Sequence, residues 1–375
     1  IMIKNYRKTK ILATIGPSSE KITKIEKLIS SGVDAFRINC SHTRESQIKY
    51  YIDNIRKVEK KLKKPIGILI DLQGPKLRIG EIKNNIPLKR GQKLLFINSK
   101  KSSKSNEIPL PEEKVFKSIK VNHPIFIDDG KIKLKVLKVS KNIIETKVLL
   151  EGILKSKKGI NLPETVLKNS ALTSKDKKNV KKGIELGVDW IALSFIQSPE
   201  DIKDLRKICK KNVSIMAKIE KPAALNHINK IAELADGLMI ARGDLGVELP
   251  IQDVPSWQKR IIREARMQGK PVVVSTQMLE SMITSKTPTR AEVSDVATAV
   301  FEGSDAVMLS AESAIGDNPV LAVKMMDKIA NSVEKNPNYS SILSAQLEET
   351  PDSTPDAIAT AARSLASELN SPIIV

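Results

Sequence analysis

Little in this chain is aromatic, and little can bind a metal through nitrogen or sulfur. Phe, Trp and Tyr make up 3% of 375 residues. No basic stretch therefore carries the interleaved stacking residues of single-stranded nucleic-acid binders. Three histidines exclude a histidine-rich metal centre. Two cysteines, Cys40 and Cys209, do not make a disulfide framework, and free thiols suit a reducing cytoplasm. No apolar run is long enough to cross a membrane. The start, IMIKNYRKTK, is polar and basic and lacks the apolar segment of a signal peptide. Acid is also in deficit, with 63 Lys and Arg against 43 Asp and Glu, a net charge of +20. The lysines are scattered among Ile and Asn along the whole chain. The excess thus reads as a composition that attracts anionic substrates, not as a nucleic-acid footprint. Neither GxxxxGK[ST] nor GxGxxG occurs, so any nucleotide must be held some other way.

What is present is an alternation of strand-like and helix-like segments. Strands are expected at Lys10–Thr14, Asp34–Asn39, the run GILIDL ending near Asp71, Val188–Ser194, Ser214–Glu220, Leu238–Ala241, Pro271–Thr276 and Asp305–Ser310. Gly32-Val33-Asp34, Gly187-Val188-Asp189 and Gly303-Ser304-Asp305 each close a helix and open a strand, a weak internal repeat. Thr173-Ser174-Lys175-Asp176 and Ser198-Pro199-Glu200-Asp201 are helix starts. Eight strands with crossover helices predict an α/β fold, a (β/α)8 TIM barrel. The rhythm breaks between about 77 and 163, where short alternating runs and turns such as Asp128-Asp129-Gly130 predict a small all-β insertion. The expected organisation is barrel over 1–76 and 164–336, an inserted β-barrel lid over 77–163, and a linker with a helix, Pro355–Leu369, over 337–375. Pro372–Val375 reads as the opening strand of a truncated C-terminal α/β domain.

In a barrel of this kind chemistry collects at the carboxyl ends of the strands. The stretch Ser214–Pro250 is the richest. Met216, Lys218 and Glu220 share one face of their strand. Pro222 opens a helix that stops at Ala235-Asp236-Gly237, and the next strand runs into a loop, Arg242-Gly243-Asp244-Leu245-Gly246. Glu220 and Asp244 are hard oxygen ligands on separate strands, beside the Lys218 ammonium. That set suits Mg²⁺, which keeps waters and leaves room for phosphate. Other strand ends add Arg37, Asn39 and Ser41, then Asp71 with the following Lys76 and Arg78, then Thr276, Ser310 and Glu312. Arginines and a metal pair in one mouth point to phosphoryl transfer. A metal- or Schiff-base-dependent aldolase or lyase acting on a keto acid, with Lys218 as the amine, remains the alternative. A structural ion-pair cluster is the plain reading of the same residues.

The blocks TKILATIGPSS, RINCSH, DLQGPKLR, MAKIEKPAALNHI, ARGDLGVELP, STQMLESM, PTRAEVSDVATAV and MLSAES resemble the pyruvate kinase family over the whole barrel. The resemblance implies transfer from phosphoenolpyruvate to ADP in glycolysis, giving pyruvate and ATP. It implies that Glu220 and Asp244 bind Mg²⁺ or Mn²⁺, that Lys218 acts on the phosphoryl group and the enolate, and that Arg37 contacts phosphate. Gly243, Asp244 and Thr276 would hold the substrate carboxylate end, with Thr276 and Ser310 relaying a proton. Asn39, His42, Arg78 and Lys158 would contact the nucleotide. Many members bind K⁺ near the positions of Asn39, Ser41 and Asp71 and carry glutamate where this chain has Lys76. Lys76 places the chain with members that work without K⁺. A homo-oligomer formed through the barrel is expected as well.

Overall fold

The runs KILAT, GILID and VVVS are short and mostly apolar, and each becomes a strand buried except at the first residue of the first two. The structure, a computed structural model, describes residues 7–167, 170–210, 213–345, 354–369 and 371. Eight parallel strands close into a barrel: Lys10–Thr14, Ala35–Asn39, Gly67–Asp71, Trp190–Leu193, Ser214–Ile219, Gly237–Ala241, Val272–Ser275 and Ala306–Leu309. They are called here the first to eighth strands. Neighbours in sequence are neighbours in space, and the first pairs with the eighth. All eight expected strands are present, with ends within two residues of those read from the sequence.

The Gly-x-Asp repeats have a physical role. At the amino ends of the strands, Asp34 Oδ2 accepts from Ile11 N–H at 2.9 Å and Asp189 Oδ2 from Ile68 N–H at 2.7 Å. Asp236 Oδ2 accepts from Ile215 N–H at 2.7 Å, and Asp305 Oδ2 from Val272 N–H at 2.9 Å. Each aspartate opening an even-numbered strand thus caps the odd-numbered strand before it. Arg7, Arg56 and Arg206 pair with Asp34, Asp189 and Asp236 respectively. Asp236, which lacks the preceding glycine, plays the same role, and the sequence reading took it only as a helix stop.

Inside the barrel Leu12, Leu69, Ala192, Met216, Met239, Val273 and Met308 form a buried layer against which Ala35 packs, one residue from every strand. Side chains alternate along a strand, so positions two further on face the same way. Those positions are Thr14, Arg37, Asp71, Ser194, Lys218, Ala241, Ser275 and Ser310. A mostly polar tier therefore stands directly on the apolar one, at the carboxyl ends.

Between the third and fourth strands the chain builds a second sheet with its own core around Phe96, Leu134, Val136 and Ile144. Its six strands run in the order Ile160–Asn161, Pro124–Ile127, Ile132–Ser140, Ile143–Leu150, Lys93–Ile97, Glu107–Pro109. Two short two-stranded ribbons accompany it. The expected closed, all-β module needs correcting on two points. The edge strands are only two and three residues long, so the sheet stays open. The module also contains a helix, Glu113–Ser118, which buries Val115 and Phe116.

Two other expectations change. Residues Arg242–Glu248 form a short helix rather than a loop, because Leu245 and Glu248 are both buried on its inner side. The helix expected from Pro222 to Ala235 is two pieces, Pro222–Leu225 and Ile228–Leu234. The chain divides into two compact units, Ile1–Asn336 and Pro337–Val375. The second contains helices Asn338–Ala345 and Thr354–Glu368. The strand expected at Pro372–Val375 lies outside the described residues.

Candidate active site

Half of the polar tier, Arg37, Asp71, Ser194 and Lys218, lines a cavity of about 150 Å³ at the carboxyl ends of the strands. The second strand and the turn after it supply Arg37, Asn39, Ser41 and His42. The third supplies Asp71, followed by Lys76 and Arg78. Ser194, Lys218, Glu220 and Asp244 close the other side. Ten of the expected site residues thus meet around one space.

At its floor lies a charge network. Lys218 Nζ is 3.0 Å from Asp71 Oδ1 and 2.8 Å from Glu220 Oε1, and it donates to Ser194 Oγ at 2.8 Å. Arg37 approaches Asp71 Oδ2 through Nε and Nη2, both at 2.7 Å, and donates through Nη1 to Thr14 Oγ1 at 3.0 Å. Burial alone would lift the Asp71 carboxyl, but Lys218 and Arg37 outweigh it and hold it below the ordinary carboxylate range. Burial alone would likewise lower the Lys218 ammonium. Asp71 and Glu220 overcome that and raise it well above the ordinary lysine value. A Schiff base needs a free amine, so this environment disfavours the lyase reading of Lys218.

Glu220 behaves differently. Burial pushes its carboxyl up, the Lys218 ammonium opposes that, and the nearby Asp244 charge adds to the rise. Its Oε2 accepts from Phe195 N–H at 2.8 Å. Phe195 reaches that position with φ 57°, packed against Gly74. A Cβ on Gly74 would stand 2.7 Å from the Phe195 ring, and φ at Gly74 is itself +66°. The glycine in the block DLQGPKLR thus lets the third-strand loop pass close enough to place a donor on Glu220.

Among the described residues no group of three or more His, Cys, Asp or Glu could hold a metal ion. Glu220 and Asp244 both line the cavity, and the Asp244 charge adds to the cost of ionising Glu220. A hard divalent cation that keeps most of its waters fits such a pair. Asp244 also lines an adjoining cleft of about 650 Å³, together with Gly243, Lys76, Gln277 and Asp129 of the inserted sheet.

Thr276 sits beside this cleft. Its Oγ1 accepts from Gly243 N–H at 2.7 Å and donates to Ser275 O at 2.6 Å. Thr276 and Gln277 both adopt positive φ, 70° and 56°, a costly conformation for non-glycine residues. Arg242 holds them there. It donates to Thr276 O at 2.9 Å and Gln277 O at 3.3 Å, while both Nη atoms clasp Asp295 at 2.6 and 2.7 Å. Ser310 belongs to the same tier but does not line the cavity. Its Oγ is buried without a hydrogen-bond partner among the described residues, and its N–H donates to Glu312 Oε2 at 2.7 Å. Lys158 does not line the cavity either, and it pairs with Asp128 at 2.8 Å.

Four groups that contact these residues escaped the sequence reading: Thr14, Ser194, the Phe195 N–H and Arg242. Ser194 carried the same signal as Lys218, a polar residue two positions past an apolar inward one at a strand end. Nothing in the sequence marked the Phe195 backbone or the reach of Arg242.

The profile described as pyruvate kinase, barrel domain, matches residues 6–323. The chain belongs to the pyruvate kinase family. It is 49% identical to a pyruvate kinase of Methylorubrum extorquens over 98% of this chain and 77% of that protein. A pyruvate kinase of Agrobacterium vitis is 45% identical over 100% of this chain and 80% of its own length. A crystal structure of a pyruvate kinase from Cryptosporidium parvum superposes with a TM-score of 0.93 at 34% identity. It covers 97% of this chain and 77% of that one. As a member of the pyruvate kinase family the chain is a phosphotransferase. Among the described residues no helix is long and apolar enough to cross a membrane.

Proposed function

We propose that the chain transfers the phosphoryl group of phosphoenolpyruvate to ADP, as a Mg²⁺-dependent and K⁺-independent glycolytic enzyme. One observation carries the reading. A buried ammonium, Lys218, is held charged between Asp71 and Glu220 in a cavity that also receives Arg37 and Asp244.

The roles follow from the contacts. A guanidinium has five N–H donors. Arg37 uses three on Asp71 and Thr14, which leaves two for a substrate phosphate and fixes their direction. Glu220 and Asp244 would hold the divalent cation, which when bound neutralises phosphoryl and carboxylate oxygens of the substrate. Lys218 stays protonated and faces the negative charge that builds as the bond from the enol oxygen to phosphorus breaks. The phosphoryl group passes to a terminal oxygen of ADP, and the enolate left behind takes a proton at its methylene carbon. In this reading Thr276 and Ser310 serve that last step, and the Thr276 hydroxyl is oriented by Gly243 and by the Arg242 clasp. Asn39, His42 and Arg78 face the nucleotide from the rim. Lys158 would join them from the inserted sheet by leaving Asp128.

Independence of K⁺ is supported by how Asp71 is used. Both of its oxygens are already taken by Lys218 and Arg37. Lys76 lines the same cavity as Asn39 and Ser41 and has no carboxylate partner among the described residues. Its ammonium supplies the monovalent charge at that point. Cys40 and Cys209 are buried free thiols, which supports a cytoplasmic setting. The homo-oligomeric state is part of the same proposal, and sedimentation of the purified protein tests it.

A coupled assay of phosphoenolpyruvate plus ADP tests the whole. Pyruvate should form only with both substrates and with Mg²⁺, at nearly equal rates in potassium and tetramethylammonium buffers of matched ionic strength. Pyruvate release that ignores ADP would overturn the phosphoryl-transfer reading.

A further inference from the structure

The two connections between the inserted sheet and the barrel run side by side. Ile79 N–H donates to Lys158 O, and Ile160 N–H donates to Leu77 O, both at 3.0 Å. A backbone ribbon of this kind leaves the sheet free to swing unless a side chain fixes it to the barrel. One buried carboxylate that phosphoryl transfer does not use lies at this spot. Glu248, the last residue of the helix Arg242–Glu248, is 4% exposed. Its Oε1 accepts from Asn161 Nδ2 at 2.9 Å and from Lys221 Nζ at 2.7 Å. Asn161 belongs to an edge strand of the inserted sheet, and Lys221 directly follows Glu220. Its other oxygen, Oε2, is buried and has no hydrogen-bond partner among the described residues.

A buried carboxylate is kept where its charge is matched and its position matters. Lys221 supplies the match, with its side chain 15% exposed and that of Glu248 1%. Asn161 supplies the only link of the three that crosses from sheet to barrel. A small cavity lies beside them, lined by Pro75, Leu77, Ile160, Asn161 and Lys221, so both connections border the same space. We propose that Glu248 is a positioning residue that pins the inserted sheet over the barrel mouth through Asn161, with Lys221 as its counter-charge. The pin sits between the helix that begins beside Asp244 and the residue that follows Glu220. It therefore sets where the inserted sheet stands relative to both carboxylates. Its kinetic consequence rests on the phosphoryl-transfer reading: loosening the pin raises KM for ADP, whose contacts include the inserted sheet, more than KM for phosphoenolpyruvate, whose contacts are all on the barrel.

The test is amide hydrogen exchange of the full chain without ligands, for Asn161→Ala, Asn161→Asp and Glu248→Gln. Exchange should rise at the two connections, residues 75–80 and 158–163, and stay unchanged in the fifth strand, Ser214–Ile219. A hydrogen bond to a charged acceptor predicts a rise of about tenfold or more for Asn161→Ala. Asn161→Asp should exceed it, because two carboxylates then face each other. KM for ADP should rise about tenfold in Asn161→Ala, with KM for phosphoenolpyruvate changed less than about threefold. Exchange at the connections within twofold of wild type in both Asn161 variants would overturn the proposal, and so would a rise spread equally through the fifth strand. If Glu248→Gln does not fold, the two Asn161 variants decide. Faster exchange at the connections in a protein that forms no pyruvate from phosphoenolpyruvate and ADP would overturn the functional reading and leave the pin standing.

Discussion

Replacing Lys218 by methionine separates two jobs that the same ammonium performs. In the folded protein Lys218 and Arg37 face Asp71 and Glu220, two positive charges against two negative. Methionine fills similar volume but leaves one positive charge against two buried carboxylates. Removing one partner of a buried pair costs about 3–5 kcal/mol. Asp71 keeps Arg37 as a partner, so the low end applies, about 3 kcal/mol, lowering Tm by about 4 °C. The catalytic cost is separate. Loss of one group aimed at developing charge lowers kcat by about 10²- to 10³-fold. KM for phosphoenolpyruvate should change only a few-fold, because Arg37 and the carboxylate pair remain. The double variant Lys218→Met with Asp71→Asn restores one charge against one, Arg37 and Glu220. Thermal unfolding should then return most of the way to wild type, while kcat in the coupled assay stays low. If kcat recovered together with Tm, Lys218 would be only a counter-charge for Asp71, and the transition-state role would be refuted.

Other expectations follow from neighbouring contacts. Glu220→Ala or Asp244→Ala should abolish turnover and weaken Mg²⁺ binding in calorimetric titration, since the pair holds one ion. Near-normal Mg²⁺-dependent activity in Glu220→Ala would show that the ion sits elsewhere. Lys76→Glu should create a potassium requirement, read as a rate in tetramethylammonium many-fold below that in potassium. A wild-type enzyme many-fold slower without K⁺ would contradict the role given to Lys76. Asp189→Ala removes the acceptor for Ile68 N–H and the partly exposed pair with Arg56. With the pair discounted for exposure, it should lose about 1 kcal/mol and about 1 °C of Tm with kcat unchanged. Burial pushes the Cys40 thiol up to about 12 from an ordinary value of 9.0, and Asp71 and Asp176 add to the rise. Between these values the unfolded chain releases the proton first, so Cys40 should make stability fall as pH rises through that window. Its thiol should react with a disulfide reagent at pH 8 only on unfolding, and rapid labelling of native protein would contradict its burial.

The sequence by itself determined the barrel, its eight strands and most of the residues at its mouth. Those features rest on local periodicity. Met216, Lys218 and Glu220 share a face because side chains alternate, whatever the strand packs against. The aspartates of the Gly-x-Asp repeats marked strand starts for a similar reason, since each takes an N–H from the first two residues of the preceding strand. Only the tertiary structure decided which groups touch. Arg37 and Asp71 are 34 positions apart, and Asn161 and Glu248 are 87 apart. No spacing rule connects such pairs, because the fold brings them together only after intervening helices have packed. Arg242 illustrates the difference. As a residue in ARGDLGVELP it read as part of a glycine-rich loop, whereas in the fold it begins a helix and holds Thr276 and Gln277 in a strained conformation. The same holds for the Phe195 N–H on Glu220. Its position depends on how closely two loops approach across Gly74, a property of packing and not of pattern.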